Sequence, residues 1–242
     1  MPGLPAEGGG TTRDGNVTER WTFAAVLLDM DGTLLDTETV YLQSSIAALN
    51  ACGYSDGVTD LCHSMIGIPG PDCERMLRNH FGDGFPFDDI NRAFETHCAE
   101  IFRAGLPLKP GAVALLDALD AAKLPKAIVT SSSRRTADQH LSLAGINERF
   151  DAILTRDDVS RGKPSPDLYL LAARRLGAIP QACLAIEDSN PGVTAAHAAG
   201  AITIMVPDIV PPTDESRQRC RAVLPDLDAV VMLLRENRTL AF

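Results

Sequence analysis

Phe23-Ala-Ala-Val-Leu-Leu-Asp-Met-Asp-Gly-Thr33 changes character within a single step. Six apolar residues run without a break, and then two aspartates and a glycine follow at once. So short and abruptly ended a run predicts a strand buried on both faces, as in a parallel sheet. Similar runs recur at 126–130, 152–154, 183–186 and 202–206, with helical patterns between them at 111–122, 134–143, 167–176 and 193–199. Gly145, Gly177 and Gly200 stand just past three of those patterns, where a left-handed turn suits a residue without Cβ. Short strands alternating with helices predict an α/β fold, a Rossmann-like doubly wound parallel sheet with right-handed crossovers.

The spacing breaks once. Nearly a hundred residues separate the first run from Lys126, against the roughly 30 of a complete βαβ unit. Most of the excess reads as helix, with an apolar 3.6 period over 40–52, 72–81 and 90–102, divided by Gly and Pro. The expected organisation is a tail over residues 1–22, a core from 23–37 and 107–242, and an inserted α-helical domain over 38–106. The tail is rich in Gly, Pro, Thr and charge, a composition that favours disorder, and it lacks the apolar stretch of a secretory signal.

Composition narrows the function. Apolar residues make up 45% of the 242, enough for a full core. Asp plus Glu outnumber Lys plus Arg by 32 to 22, a formal charge of −10. That balance argues against a nucleic-acid partner, whose phosphates are bound through clustered cations. No apolar run approaches the roughly 18 residues of a membrane span, and the six cysteines form no C-x-x-C pair. A cytoplasmic protein with reduced thiols is expected, its oligomeric state open.

In open α/β sheets ligands bind beyond the carboxyl ends of the strands. The polar residues that follow the apolar runs are Asp29 with Asp31, Thr130 with Ser131, and Glu187 with Asp188; Lys163-Pro164 precedes the helix near Asp167. Two carboxylates two residues apart repel, and stay ionised only around a cation or by sharing a proton. Mg²⁺ suits one or two carboxylates together with substrate phosphate and water. A carboxylate also needs no general base to act as a nucleophile near neutrality. A calcium loop does not fit, because its sixth position would be Leu34 and its twelfth Val40.

With those companions in that order, the segment Asp29-Met-Asp-Gly-Thr33 resembles the first motif of the haloacid dehalogenase-like phosphatase superfamily. Ile128-Val-Thr-Ser131, Lys163-Pro164 and Ile186-Glu-Asp-Ser-Asn-Pro-Gly192 match the later motifs, so the resemblance spans about residues 23–206. It implies that Asp29 is the nucleophile and forms an aspartyl-phosphate. Asp31 would be general acid and then base, a role worth two to four powers of ten in rate. An Asp at that second position also points to phosphoryl transfer over dehalogenation. Lys163 would offset the repulsion between Asp29 and a dianionic phosphate. Ser131 is the first choice for the hydroxyl that holds a phosphoryl oxygen, with Thr130, Ser132 and Ser133 as rivals, any of which could instead cap the helix that starts at Arg134. The metal-ligating set is Asp29, Asp31 (also through its carbonyl), Asp188 and Glu187, the last either sharing the metal or fixing Lys163. The five histidines show no paired ligand spacing and read as structural or exposed.

The insertion resembles the cap domain of the beta-phosphoglucomutase-like branch. That branch's mutases carry a His on the first cap helix, and a Lys-Gly with a nearby Arg in a cap loop. This chain has Tyr41, Ile66-Gly67 and Gly70 there. Without those cations, hydrolysis is favoured over mutase chemistry, and a non-catalytic binding module would have lost the acidic motifs that are all present. The apolar loop over residues 65–71 points to a small phosphorylated metabolite of the sugar or polyol phosphate class as substrate.

Overall fold

The computed structural model describes residues 22–236 except Gly67, Pro69 and Asp83. The tail read over residues 1–22 therefore lies almost wholly outside the described residues, as do Gly67 and Pro69 of the apolar loop over residues 65–71.

Six parallel strands form one sheet: β1 (Ala25–Leu28), β2 (Lys126–Val129), β3 (Ala152–Leu154), β4 (Cys183–Glu187), β5 (Ile202–Met205) and β6 (Ala222–Val223), in the order β3-β2-β1-β4-β5-β6. This is the doubly wound arrangement, with its reversal of direction beside β1. In register, Leu28 stands opposite Ile128 on one side and Ile186 on the other, so the polar residues that follow each strand emerge at one rim.

Alternation along the strands builds two different faces. Val26, Leu28, Ile128, Leu184, Ile186 and Ile204 point to large aliphatic side chains on α5 (Ala112–Ala121), α6 (Arg134–Leu143) and α10 (Leu227–Glu236). Ala25, Leu27, Ala127, Val129 and Ala185 point the other way. There α7 (Asp167–Arg175) and α8 (Asn190–Ala199) meet them through Ala172, Ala173, Ala195 and Ala196. Small residues on both sides of that seam let helix and sheet approach closely. Strand β6 and helices α9 (Asp214–Arg219) and α10 extend the core beyond the elements read from sequence. The two-residue β6 is too short to print a period of its own.

Between β1 and α5 stand four helices: α1 (Thr37–Ala51), α2 (Val58–Ser64), α3 (Gly70–Phe81) and α4 (Phe87–Arg103). Three correspond to the periodic stretches noted above. The seven-residue α2 does not, because it offers barely two turns for a pattern to show. They share an apolar cluster of their own around Leu49, Val58, Leu77, Phe85 and Ile90. The chain leaves and re-enters the sheet by paired segments: Asp36 N–H donates to Pro107 O at 2.9 Å, and Lys109 N–H to Leu34 O at 2.9 Å. Lys109 Nζ adds ion pairs to Asp36 at 3.4 Å and Asp208 at 2.7 Å. Among the described residues no helix is long and apolar enough to cross a membrane.

Candidate active site

At the reversal of strand order, β1 and β4 deliver Asp29, Glu187 and Asp188 side by side. Lys163 arrives from the loop between β3 and α7. Its Nζ donates to Asp29 Oδ1 at 2.5 Å and to Glu187 Oε1 at 2.5 Å. Burial works against the ammonium, but the two carboxylates outweigh it and hold the Lys163 pKa above the ordinary lysine value. Three segments distant in sequence thus meet at one rim.

Glu187 is fully buried and already saturated. Oε1 also accepts from Tyr169 Oη at 2.7 Å, while Oε2 accepts from Ser189 Oγ at 3.0 Å and from the Asp188 and Ser189 N–H groups at 3.2 Å. Asp188 is freer. Its Oδ1 accepts from Thr33 Oγ1 at 3.1 Å, and its Oδ2 faces Gly32. Gly32 has φ +80°, and a Cβ there would lie 2.4 Å from Asp188 Oδ2, so both the turn and the space demand glycine.

The carboxylate of Asp31 turns elsewhere. Oδ2 accepts from Ser132 Oγ at 2.7 Å and lies 3.5 Å from Thr130 Oγ1, and His140 Nδ1 stands 3.4 Å from Oδ1. Burial alone would raise its pKa, but the contacts with His140 and Ser132 outweigh that and lower it. Asp29 goes the other way. Burial first, with the charges of Glu187 and Asp31, overcomes Lys163 and pushes it up to about 8. Asp188 is likewise raised by burial and by its acidic neighbours.

Of the hydroxyls after β2, Thr130 is buried and Ser132 bonds Asp31, as above. Ser133 is the N-cap of α6 and accepts from Thr136 N–H. Ser131 is exposed at the rim.

Three groups in or beside the site escaped the sequence reading. His140 is buried at 4% exposure and bridges Asp31 to Tyr41 Oη, 3.4 Å from its Nε2. Its spacing from Ala137 and Leu141 put it on the buried face of α6, and that spacing was the available signal. Tyr169 sits likewise on the buried stripe of α7. Asp208, just beyond β5, has a buried Oδ2 with no hydrogen-bond partner among the described residues.

The donor set fits a hard divalent cation. Ligand oxygens of Asp29, Glu187 and Asp188 lie within 4.8 Å of one another. Lys163 is the ammonium among these three carboxylates, Asp208 being paired with Lys109, and burial followed by the neighbouring negative charges raises the pKa values of Asp29 and Asp188. The Asp31 carboxylate is not in that group.

Comparison with known proteins settles the family. Residues 23–200 match the family model described as haloacid dehalogenase-like hydrolase. The chain belongs to that family. It resembles a HAD family hydrolase from Deinococcus radiodurans R1, solved with bound phosphate and sodium, at 31% identity and a TM-score of 0.79, covering 91% of this chain and 99% of that one. A putative beta-phosphoglucomutase from Thermotoga maritima is similar at 26% identity and a TM-score of 0.76, over 88% and 98% of the two chains. Hexitol phosphatase A of Escherichia coli K12 is 36% identical over 182 residues, 74% of this chain and 81% of that one. As an enzyme, this family member is a phosphoric monoester hydrolase.

Proposed function

We propose that this hydrolase removes phosphate from a small phosphorylated metabolite of the sugar or polyol class, with Mg²⁺ as cofactor and Asp29 as nucleophile. One observation carries the reading: the Lys163 ammonium bridges Asp29 and Glu187 beside Asp188, at the point where strand order reverses. A phosphate dianion approaching Asp29 there meets a fixed positive charge.

Asp29 and Asp188 would hold the metal, with the backbone carbonyl of Asp31. Glu187, occupied by Lys163, Tyr169 and Ser189, would fix the lysine. When bound, the metal neutralises phosphoryl oxygens and orients them for in-line attack. In the first step an Asp29 oxygen bonds phosphorus, the ester P–O bond breaks, and the leaving oxygen takes its proton from Asp31. In the second, Asp31 takes a proton from water as that water attacks phosphorus. The Asp29–phosphate bond then breaks, and Asp31 ends protonated as it began. Donors from His140 and Ser132 favour the Asp31 carboxylate, the form that the second step requires. Ser131, exposed at the same rim, is the further hydroxyl offered to the phosphate, while buried Thr130 stands with Ser132 beside Asp31.

Helices α1–α4 would act as a cap that shields this site from water. Tyr41 and Ile66 stand where a mutase carries cationic and imidazole groups, which supports hydrolysis over transfer within a sugar bisphosphate; Gly67, beside them, lies outside the described residues. The likeness to hexitol phosphatase A supports the polyol class. The free cysteines fit a cytoplasmic setting.

Release of inorganic phosphate from an aryl phosphate, with and without Mg²⁺, is the direct test. Asp29→Asn should abolish turnover, and Asp31→Asn should slow it by about a hundredfold or more. Near-normal rates in Asp29→Asn would refute the mechanism.

A further inference from the structure

Among α1–α4 lies a cavity of about 600 Å³, within the range that holds small-molecule ligands. Its walls include Leu49, Met65, Leu77, Ile90 and Phe94, and no lysine, arginine or histidine among the described residues. Glu38 and Tyr41 also line it. Tyr41 is one side chain from the chemistry, since its hydroxyl reaches His140 and His140 reaches Asp31. Glu38 feels the same region: burial, Asp208 and Asp31 together raise its pKa.

We propose that this cavity receives an apolar extension of the leaving group, so that the substrate is a hydroxylated phosphate monoester carrying an apolar body. The inference rests on the phosphatase reading above. It goes further because a bare three-carbon or six-carbon polyol has no apolar surface to fill such a space.

The geometry sets the orientation. Phosphorus must sit at Asp29, and the leaving oxygen must reach Asp31. The leaving group therefore starts beside Asp31, and Tyr41 and Glu38 are the cavity-lining residues linked to that carboxylate, through His140 and through its charge. A hydroxyl near the phosphate can donate to Glu38, and the more distant part of the leaving group meets aliphatic and aromatic walls. A second phosphate there would face Glu38, and among the described residues no lysine, arginine or histidine lines the cavity; Lys109, near Glu38, is already paired with Asp36 and Asp208. Bisphosphates are therefore poor ligands for this space, whereas an alkyl or aryl body gains by leaving water.

The test is a series of 1-O-alkylglycerol 3-phosphates with ethyl, butyl and hexyl chains, compared with glycerol 3-phosphate, using the full chain with Mg²⁺ and reading phosphate release. Within the ethyl, butyl and hexyl series the phosphate and the single 2-hydroxyl stay constant while apolar surface grows; glycerol 3-phosphate, with two hydroxyls, serves as the reference without an alkyl body. We expect kcat/KM to rise by about fourfold per added methylene until the cavity is full. Ser45 lines the space from α1. Ser45→Phe should lower the hexyl-to-ethyl ratio of kcat/KM by about tenfold or more. If that variant fails to fold, the wild-type series decides alone. A flat or falling series, with glycerol 3-phosphate still hydrolysed, overturns the cavity assignment and leaves the phosphatase standing. An unchanged ratio in folded Ser45→Phe overturns it too. No phosphate from any ester, aryl phosphate included, overturns the phosphatase reading and this inference together.

Discussion

Gly192, at the start of α8, leaves room for the carboxylate against which Lys163 rests. A Cβ there would sit 1.9 Å from Glu187 Oε1, so no side chain fits without displacing Glu187. Once displaced, Glu187 leaves Lys163 short of a partner and its other donors unmet, and breaking a buried ion pair is costly. Gly192→Ala should therefore lower unfolding stability by about 3 kcal/mol in urea and reduce kcat as well. A loss under about 0.5 kcal/mol, the level of an indifferent surface change, would show that the glutamate has slack that the structure does not display. Glycine at position 192 looks in sequence like a helix-start residue after Pro191. Its reason is the buried glutamate five residues back, and that is a tertiary contact no local pattern encodes.

At the scale of elements, the four serine and threonine hydroxyls after β2 divide their work. Ser133 caps α6, Ser132 and Thr130 hold Asp31, and Ser131 faces outward. Ser133→Ala should then cost about 1 kcal/mol in thermal unfolding, the worth of an N-cap, and leave KM where it was. Ser131→Ala should leave the melting temperature alone and lower kcat/KM, and the reverse pattern would exchange the two assignments. The sequence alone left these hydroxyls unordered, because a run of four similar donors has no internal register. The five apolar runs became β1–β5 because a strand buried on both faces must be apolar throughout. The long gap after β1 became helices because the 3.6 period persisted over three stretches. The short α2 and β6 carried too few residues for a period, and His140 and Tyr169 were legible only as members of buried faces. Nothing in the sequence shows which atoms such faces meet.

Considered whole, the molecule gathers its buried carboxylates at the rim where strand order reverses. In the metal-free protein the folded-state pKa of Asp29 is raised to about 8, and that of Asp188 is raised in the same direction. A carboxyl whose folded pKa lies above its unfolded value favours the folded state while protonated. That contribution is complete below the ordinary carboxylate range and is lost as pH climbs through about 8. Melting temperature without metal should therefore fall between about pH 4 and pH 8 and level off above that. Mg²⁺ should restore more at the upper end, because deprotonated carboxylates bind it better. Calorimetry across that window, with Mg²⁺ and with a chelator, reads both trends. A metal-free melting temperature that stays level or rises would mean that Lys163 alone balances the cluster.

The paired joint of residues 34–36 with 107–109 has one more implication. Because the chain departs and returns through neighbouring backbone segments, the sheet registers only a short detour, however much polypeptide is looped out there. Insertions of different length could be exchanged at those two seams without reordering a single strand, so the helices between them can be swapped while Asp29 keeps its address at the end of β1.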